Sequence, residues 1–214
     1  GSLVAHELCK AGVKCAIFDK RTIATGSTAA STAQLQYEID VPLHKLINDI
    51  GEENAVKAYK DCLKAISDIE TTISEVKGDG DFLRVPTVYY TTNQKGKTML
   101  LKEYEARKKA KLPVTLLDEI QLLKKYNIKG LAALENNESA QLDAFKTSVQ
   151  ILKHHQDQQM LDIYTHTEIE KANKTNKGYE LITSNGNKIN CKYVIIATGF
   201  EAGKFLPKKI MKLE

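Results

Sequence analysis

The chain begins with a helix that leads into a short buried strand and an acidic residue, and this order constrains the fold more than any other feature. Apolar residues recur at helical spacing between positions 3 and 8, and Gly12 stands where a helix would end in the left-handed conformation. Residues 15–18 form an apolar run that ends at Asp19. The pattern is typical of the second half of a nucleotide-binding βαβ unit, in which a glycine-rich turn precedes the helix and an acid after the next strand binds ribose hydroxyls.

The glycine-rich turn itself is mostly absent, because the sequence starts at Gly1. Asp19 follows Gly1 by eighteen positions, which fits the dinucleotide-binding fingerprint if Gly1 is its third glycine. Alternatively, Gly1 and Ser2 are a cloning remnant and do not belong to the fold. The sequence leaves both interpretations open. In either case we expect the phosphate-binding turn to be incomplete in this chain.

The composition is that of an ordinary globular protein. Over 214 residues, 42% are apolar and 27% are charged, which allows a sizeable core in one large domain or two small ones. The net charge of +4 is spread over interspersed Lys and Glu, so we expect solvated helix faces and no nucleic-acid partner. No apolar run reaches the roughly 20 residues that cross a bilayer, so we expect no membrane span.

The cysteines and histidines do not form a recognisable metal site. The four cysteines, Cys9, Cys15, Cys62 and Cys191, are scattered through apolar contexts without a CxxC pair. Such cysteines are typical of reduced core residues, and we therefore expect a cytoplasmic protein. His154 and His155 are adjacent on a predicted helix and would point to different faces, so we expect no metal there.

A loop of small and hydroxylated residues follows the acidic residue. Residues 22–33 contain Gly26 and no large side chain after Ile23. Small side chains let a backbone approach a ligand closely, and hydroxyl and amide groups can donate to phosphate oxygens. By composition alone, a solvated loop is the simpler interpretation. The position directly after Asp19 favours a phosphate-binding loop instead.

The middle of the chain predicts helices followed by a small antiparallel sheet. Apolar residues at steps of three and four predict helices from Pro42 to Gly51 and from Val56 to Gly78. A Lys- and Glu-rich helix is predicted from Lys97 to Lys111, with its charges in solvent. Strand-like segments occur at 82–85, 87–91, 114–117 and 131–134, and an alternating strand would turn either Tyr89 or Tyr90 inward. We interpret residues 79–138 as an inserted α+β lobe.

The last third of the chain predicts a helix, short strands with a hairpin and a final buried strand. The helix is expected from about Ala144 to Gln156, and Asn185-Gly186 is a strong hairpin signal within the short alternating segments that follow. Residues 193–199 form an apolar run that ends in Ala-Thr-Gly. Such a run is typical of a strand in the middle of a parallel sheet that is covered on both faces.

In this order, the motifs resemble those of FAD-dependent oxidoreductases of the glycine/D-amino acid oxidase family. Residues 1–21 resemble the FAD-binding fingerprint, residues 26–31 the loop around the FAD diphosphate, and residues 194–199 the strand that closes the FAD domain. The resemblance spans nearly the whole chain. It implies an α/β fold, a FAD/NAD(P)-binding Rossmann-like domain that lacks its first strand and carries an inserted α+β substrate lobe. The implied division is residues 1–78 (first part of the FAD domain with a helical extension), 79–138 (partial substrate lobe) and 139–214 (return to the FAD domain).

The resemblance also implies which residues bind FAD. Asp19 would bind the adenosine ribose with Lys20 and Arg21 beside the adenine, and the backbone of Ile169 would bond to adenine. The predicted cofactor-binding residues are Gly1, Asp19, Lys20, Arg21, Thr25, Gly26, Ser27, Thr28, Ala30, Ser31, Thr32, Ile169, Ala197, Thr198 and Gly199. The alternatives are a strand-ending turn residue at Asp19 and a plain core residue at Ile169.

The implied activity is FAD-dependent oxidation of a small-molecule amine or amino acid. Family members continue beyond both ends of the matched region, and their catalytic side chains tend to come from the part that follows it. We therefore expect a chain truncated at both ends, with weak or no FAD binding, no activity and a tendency to self-associate through an exposed sheet edge. A two-dinucleotide reductase would need a second GxGxxG, which the sequence lacks. A non-enzymatic remnant or interaction module, docking through the helices of residues 41–111, is the alternative.

Overall fold

The computed structural model describes residues 1–199 and 203, and the chain divides into two compact units. The first unit joins residues 1–31 to the residues from Ser148 onward, and the second comprises Thr32–Thr147. These limits differ from the predicted functional division at residues 78 and 138, which stays a prediction. Among the described residues, no helix combines the length and the apolar character needed to cross a membrane.

Most of the helices and strands occur in the predicted order. In chain order, the described residues form α1 (Ser2–Lys10), β1 (Cys15–Phe18), β2 (Gln34–Leu35), α2 (Leu43–Ile50), α3 (Glu52–Glu75), β3 (Leu83–Arg84), β4 (Thr87–Thr91), α4 (Gln94–Lys109), β5 (Thr115–Leu117), α5 (Glu119–Tyr126), β6 (Ala132–Asn136), β7 (Ala140–Gln141), α6 (Ala144–Asp157), β8 (Leu161–Tyr164), β9 (Ile169–Thr175), β10 (Gly178–Thr183) and β11 (Lys188–Cys191). The mixed α/β fold class is confirmed.

A parallel pair of strands forms the centre of the first unit. β1 pairs with β8, with Cys15 opposite Leu161 and Phe18 opposite Tyr164. Helices α1 and α6 pack against this pair through a cluster of buried apolar side chains that includes Ala5, Cys9, Leu152 and Leu161. Parallel pairing of strands that are far apart in sequence requires a crossover between them, as in doubly wound α/β folds.

The turn from α1 to β1 confirms the predicted left-handed helix end. Gly12 has φ +79°, the N–H of Gly12 donates to the Cys9 carbonyl at 3.0 Å, and the N–H of Val13 donates to the Leu8 carbonyl at 2.9 Å. These two bonds define a Schellman motif, which satisfies carbonyl groups at the end of the helix. The sequence therefore ends α1 at this turn and directs the chain into β1.

An antiparallel β-meander completes the described part of the first unit. Its strands lie in the order β11-β10-β9. The short alternating segments of the sequence predicted the strands themselves. Gly186 has φ +82° in the predicted hairpin. Gly178 of β10 faces Cys191 of β11, where an added Cβ atom would lie 2.2 Å from the Cys191 carbonyl oxygen. Only glycine therefore fits at this approach of β10 to β11.

The strand predicted over residues 193–199 is absent from the structure. Residues 193–198 have no regular secondary structure, and Tyr193 is 85% exposed. A run buried on both faces needs neighbouring strands and covering helices, whereas the parallel sheet of the described residues consists of β1 and β8 alone. The prediction of a strand in the middle of a parallel sheet is therefore wrong for this segment.

The second unit combines helices with two small antiparallel sheets, which have the orders β4-β6-β5 and β2-β7-β3. The larger sheet is covered on both faces, because Leu100 of α4 packs with Leu134 and Leu122 of α5 packs with Ala133. All five residues of β6 are buried. A separate core contains Tyr37, Leu43, Ala55 and Tyr59.

Two side-chain predictions for the second unit are wrong. The charges of α4 are not all in solvent, since Glu103 is 0% exposed and Arg107 is 2% exposed. Tyr89 and Tyr90 are both well exposed, although alternation predicted that one of them would turn inward. β4 is an edge strand of its sheet, so side chains on either face can extend past the covering helices to solvent.

Candidate functional site

Asp19 lies at the carboxyl end of the parallel strands, where open α/β sheets bind their ligands. Its N–H donates to the Tyr164 carbonyl at 3.0 Å, and its carbonyl accepts from the N–H of Thr167 at 2.8 Å. The carboxylate Oδ1 accepts from the N–H of Arg21 at 2.8 Å. Within residues 1–199, Oδ2 has no hydrogen-bond partner. The backbone is therefore fixed on both sides while one carboxylate oxygen stays open to a ligand hydroxyl.

Arg21 connects this acid to the following loop. Its carbonyl accepts from the N–H of His166 at 3.0 Å. A Cβ atom added to Gly26 would lie 2.9 Å from Nη2 of Arg21, so the guanidinium group lies directly against the loop backbone. Lys20 is exposed next to them. The structure thus brings Asp19, Arg21 and Gly26 together.

The loop of small residues folds into successive turns. The N–H groups of Ala29, Ala30 and Ser31 donate to the carbonyls of Gly26, Ser27 and Thr28, respectively, at 3.2–3.3 Å. The N–H groups at the start of this series, those of Gly26, Ser27 and Thr28, donate to no acceptor in the described part of the chain. Three consecutive N–H groups of this kind are suited to an anion.

Two further predicted residues, Thr25 and Thr32, lie at the two ends of this loop. Thr25 is exposed and donates its hydroxyl to the Thr22 carbonyl at 2.7 Å. Thr32 is the first residue of the second unit, and its predicted role in the loop stays a prediction.

Gly1 and Ala197, which are far apart in the sequence, lie together. A Cβ atom on Gly1 would be 3.9 Å from that of Ala197, and the Gly1 carbonyl accepts from the N–H of Ala5 at the start of α1. Thr198 and Gly199 are exposed, and Gly199 has φ +60°. The small-residue segment therefore lies at the N-terminal end of α1 although it is not a strand.

Ile169 begins β9 and lies opposite Thr183. In the described residues β9 is an edge strand, so its outer backbone groups have no strand partner. Thr167, two residues earlier, donates to the Asp19 carbonyl. The start of β9 is thus a neighbour of Asp19.

A buried histidine pair was not predicted from the sequence. Nδ1 of His6 and Nε2 of His155 are 2.9 Å apart, and both rings are buried. Nδ1 of His155 has no hydrogen-bond partner among the residues that the structure describes. Burial, then His6 and His154, lower the pKa of His155. The available signal was the position of His6 next to Ala5 on the buried face of α1.

A buried ionic cluster in the second unit was also missed. Glu103 accepts hydrogen bonds from the N–H groups of Leu43 and His44, at 2.9 and 3.0 Å, at the start of α2. Arg107 donates to Glu103 at 2.7 Å and to Glu38 at 2.8 Å. Each charge is paired, and the cluster fixes the start of α2 to α4, so we assign it a structural role. The available signal was the i, i+4 spacing of Glu103 and Arg107.

Known proteins share both sequence patterns and fold with this chain. A sequence model of the DAO family, described as FAD dependent oxidoreductase, matches residues 1–213. A curated relative, YhfW of Bacillus subtilis (strain 168), by name a Rieske 2Fe-2S iron-sulfur protein, is 24% identical over 122 residues, which are 57% of this chain and 24% of that protein.

Solved structures of similar fold include amino acid oxidoreductases. Glycine oxidase from Geobacillus kaustophilus has a TM-score of 0.73 and 18% identity, over 94% of this chain and 53% of that chain. L-Amino acid deaminase from Proteus myxofaciens has a TM-score of 0.69 and 13% identity, over 86% and 40% of the two chains. The chain thus spans about half the length, or less, of the relatives that it matches.

Proposed function

Because the chain belongs to the DAO family of FAD-dependent oxidoreductases, we propose that its protein oxidises a small amine or amino acid with FAD. The observation that carries the proposal is that Asp19 Oδ2 and the three N–H groups of residues 26–28 have no hydrogen-bond partner among the described residues. Arg21 connects them, since its N–H donates to Asp19 and its guanidinium group lies against Gly26. The substrate class rests on the likeness in fold to glycine oxidase and L-amino acid deaminase.

The described residues fit the adenosine and diphosphate portions of FAD. An open carboxylate oxygen accepts from a ribose hydroxyl, and Asp19 is held in place by two backbone hydrogen bonds. The N–H groups of Gly26, Ser27 and Thr28 suit phosphate oxygens, and the adjacent Arg21 guanidinium adds positive charge. The outer edge of β9 at Ile169 offers backbone groups to adenine.

When bound, FAD supplies the two-electron oxidation of the carbon that bears the amine. The residues of this chain contribute binding and orientation: Asp19 and the loop fix the cofactor's distal half, and the small side chain of Ala197 beside Gly1 lets the cofactor approach the start of α1. We assign no catalytic side chain among the described residues. We propose that the 214-residue chain binds FAD weakly, because the predicted cofactor-binding segment of residues 197–199 is exposed and is not a strand, and that it has no amine-oxidising activity.

A titration with FAD tests this proposal. We expect the purified 214-residue chain to change FAD absorbance and fluorescence with a dissociation constant in the micromolar range or weaker. Asp19→Ala should weaken binding about tenfold through the lost ribose bonds. Asp162→Ala is the matched control, because Asp162 is exposed on the neighbouring strand and pairs with Lys14. Equal affinities of the two variants would contradict the assigned site, and a stoichiometric yellow complex after purification would contradict weak binding.

The alternative is a protein that keeps the fold as an interaction module without binding flavin. Exposed apolar side chains on the predicted docking helices, Val41, Ile50 and Leu101, favour it. Tyr193 and Ile195 are exposed, and one edge of β1 has no strand partner among the described residues, which favours self-association. No change in FAD absorbance or fluorescence at any accessible concentration would support this alternative.

We also propose a cytoplasmic location. The four cysteines are present as free thiols, the form that a reducing compartment maintains. Detection of the native protein in cell fractions tests this location.

A further inference from the structure

Two cysteines flank the turn from α1 to β1 and converge on one carbonyl oxygen. Cys9 lies in the last turn of α1, and Cys15 is the first residue of β1. The Met160 carbonyl accepts from Sγ of Cys9 at 3.6 Å and from the N–H of Cys15 at 3.0 Å. The Cys9 sulfur and the Cys15 backbone are therefore neighbours around a single acceptor.

The two side chains also share one core. Cys15 packs against the cluster that contains Cys9, Ala5 and Leu161. Burial, followed by the neighbouring Cys15, raises the pKa of Cys9 to about 11. The Cys9 and Cys15 residues therefore lie in one apolar cluster and beside one shared carbonyl group.

The thiols differ in access to solvent. Cys9 is buried, whereas Cys15 is partly exposed, and the Cys15 thiol donates to the Val13 carbonyl at 3.3 Å in the turn. The thiolate is the form that reacts with oxidants. Cys9 stays protonated at neutral pH, so Cys15 is the thiol that reacts first.

We propose that Cys9 and Cys15 form a reversible disulfide when the protein meets a peroxide. The Cys15 thiolate attacks the O–O bond, which forms a sulfenic acid and releases water after proton uptake. The Cys9 sulfur then attacks the Cys15 sulfur; an S–S bond forms, the S–O bond breaks, and the Cys9 proton leaves with the hydroxyl group as a second water. Both sulfurs are oxidised, and one peroxide is reduced.

The disulfide would fasten the last turn of α1 to the first residue of β1. Gly12, which lies between the cysteines, has open space around its Cα, so the turn can adjust as the bond forms. Closing a loop in the unfolded chain stabilises the folded state. We expect the midpoint of thermal unfolding to rise by about 5 °C.

Peptide mapping tests the proposal directly. Trypsin cleaves after Lys10, Lys14 and Lys20, which places the cysteines in separate peptides, residues 1–10 and 15–20. After treatment of the intact chain with hydrogen peroxide, we expect a linked pair of these peptides that separates on reduction. Sulfinic acid at Cys15 without the linked pair would overturn the proposal, as would links from Cys15 to Cys62 or Cys191 instead.

Single variants distinguish the role of Cys15, which is oxidised first, from that of Cys9, which then forms the disulfide. In Cys9→Ser, the sulfenic acid should persist at Cys15 and react with dimedone, whereas in Cys15→Ser dimedone should not label Cys9. Neither variant should show the rise in unfolding temperature on oxidation. Cys62→Ser, in the other unit, is the matched control and should keep both the linked peptides and the rise. Labelling of Cys9 in Cys15→Ser to the same extent as Cys15 would overturn the proposed order.

Discussion

The guanidinium group of Arg107 donates to the carboxylate of Glu103 at 2.7 Å, one helical turn away on α4, and both side chains are buried. Arg107 also lies 5.5 Å from the centre of the Tyr37 ring and pairs with Glu38. In a buried pair, the loss of one partner leaves the other charge without compensation, which costs more than the pair itself contributes.

Arg107→Met should lower the free energy of unfolding by about 3 kcal/mol, because Glu103 and Glu38 lose their shared cation while the aliphatic stem is kept. Urea unfolding followed by circular dichroism measures the change. Lys109→Met is the matched control on the same helix, since Lys109 makes an exposed pair with Glu52 and should cost less than about 1 kcal/mol. Equal costs for the two variants would show that Arg107 is not held as described.

The Glu103 carboxylate should make the protein sensitive to acid. Burial alone would raise the pKa of Glu103, but hydrogen bonds from His44, Arg107 and Leu43 outweigh burial and lower it from 4.5. A lowered folded-state pKa contributes stability that is present above the unfolded value and lost as the pH falls through the folded value. Stability should therefore decrease below about pH 4.5.

Glu103→Gln should flatten this acid dependence, because the amide does not titrate. The measurement is the free energy of unfolding between pH 3 and 6. Glu105→Gln, at an exposed position of α4, should leave the slope unchanged. A slope that is the same in all three proteins would exclude Glu103 as its source.

The histidine pair of the first unit should make stability depend on pH in a higher range than Glu103 does. Burial, followed by His6 and His154, lowers the pKa of His155 below 6.5. The folded state then resists protonation, so its stability is complete above about pH 6.5 and decreases as the pH falls through the folded pKa. His155→Leu should remove the decrease between about pH 6.5 and 5, whereas replacement of exposed His166 by Gln should preserve it. Thermal unfolding at a series of pH values provides the test.

Two glycines of the β-meander should respond differently to the same substitution. Gly178→Ala places a methyl group 2.2 Å from the Cys191 carbonyl oxygen, a backbone atom, and should cost about 3 kcal/mol. Gly186→Ala meets no atom within 4 Å and should cost about 1 kcal/mol from its positive φ alone. Denaturant midpoints compare the two. Similar costs would mean that β10 and β11 can separate locally without loss of the fold.

Local sequence patterns predicted most of the secondary structure, because the chain uses strong signals for helix ends and turns. Gly12 and Gly186 occur at the expected helix end and hairpin. The segment over residues 193–199 was mispredicted, because its apolar pattern is the same whether or not neighbouring strands exist to bury it. Local pattern carries no information about such long-range partners.

The candidate site was predictable as a set of residues but not as an arrangement. The spacing from Gly1 to Asp19 and the small residues of the loop identified its parts. The contact of Arg21 with Gly26 and the approach of Ala197 to Gly1 depend on tertiary packing, which residue spacing does not encode. The buried pairing of His6 with His155 spans 149 positions and likewise depends on tertiary packing that residue spacing does not encode.

The central strand β6 has a consequence for the timescale of unfolding. Its five buried residues lie between β4 and β5, with helix side chains on both faces. Amide hydrogens in such a position exchange with solvent only when the surrounding unit opens as a whole. In deuterated water, the signals from Ala132 to Asn136 should therefore persist longest in the second unit, and their rate of decay would report how often that unit unfolds.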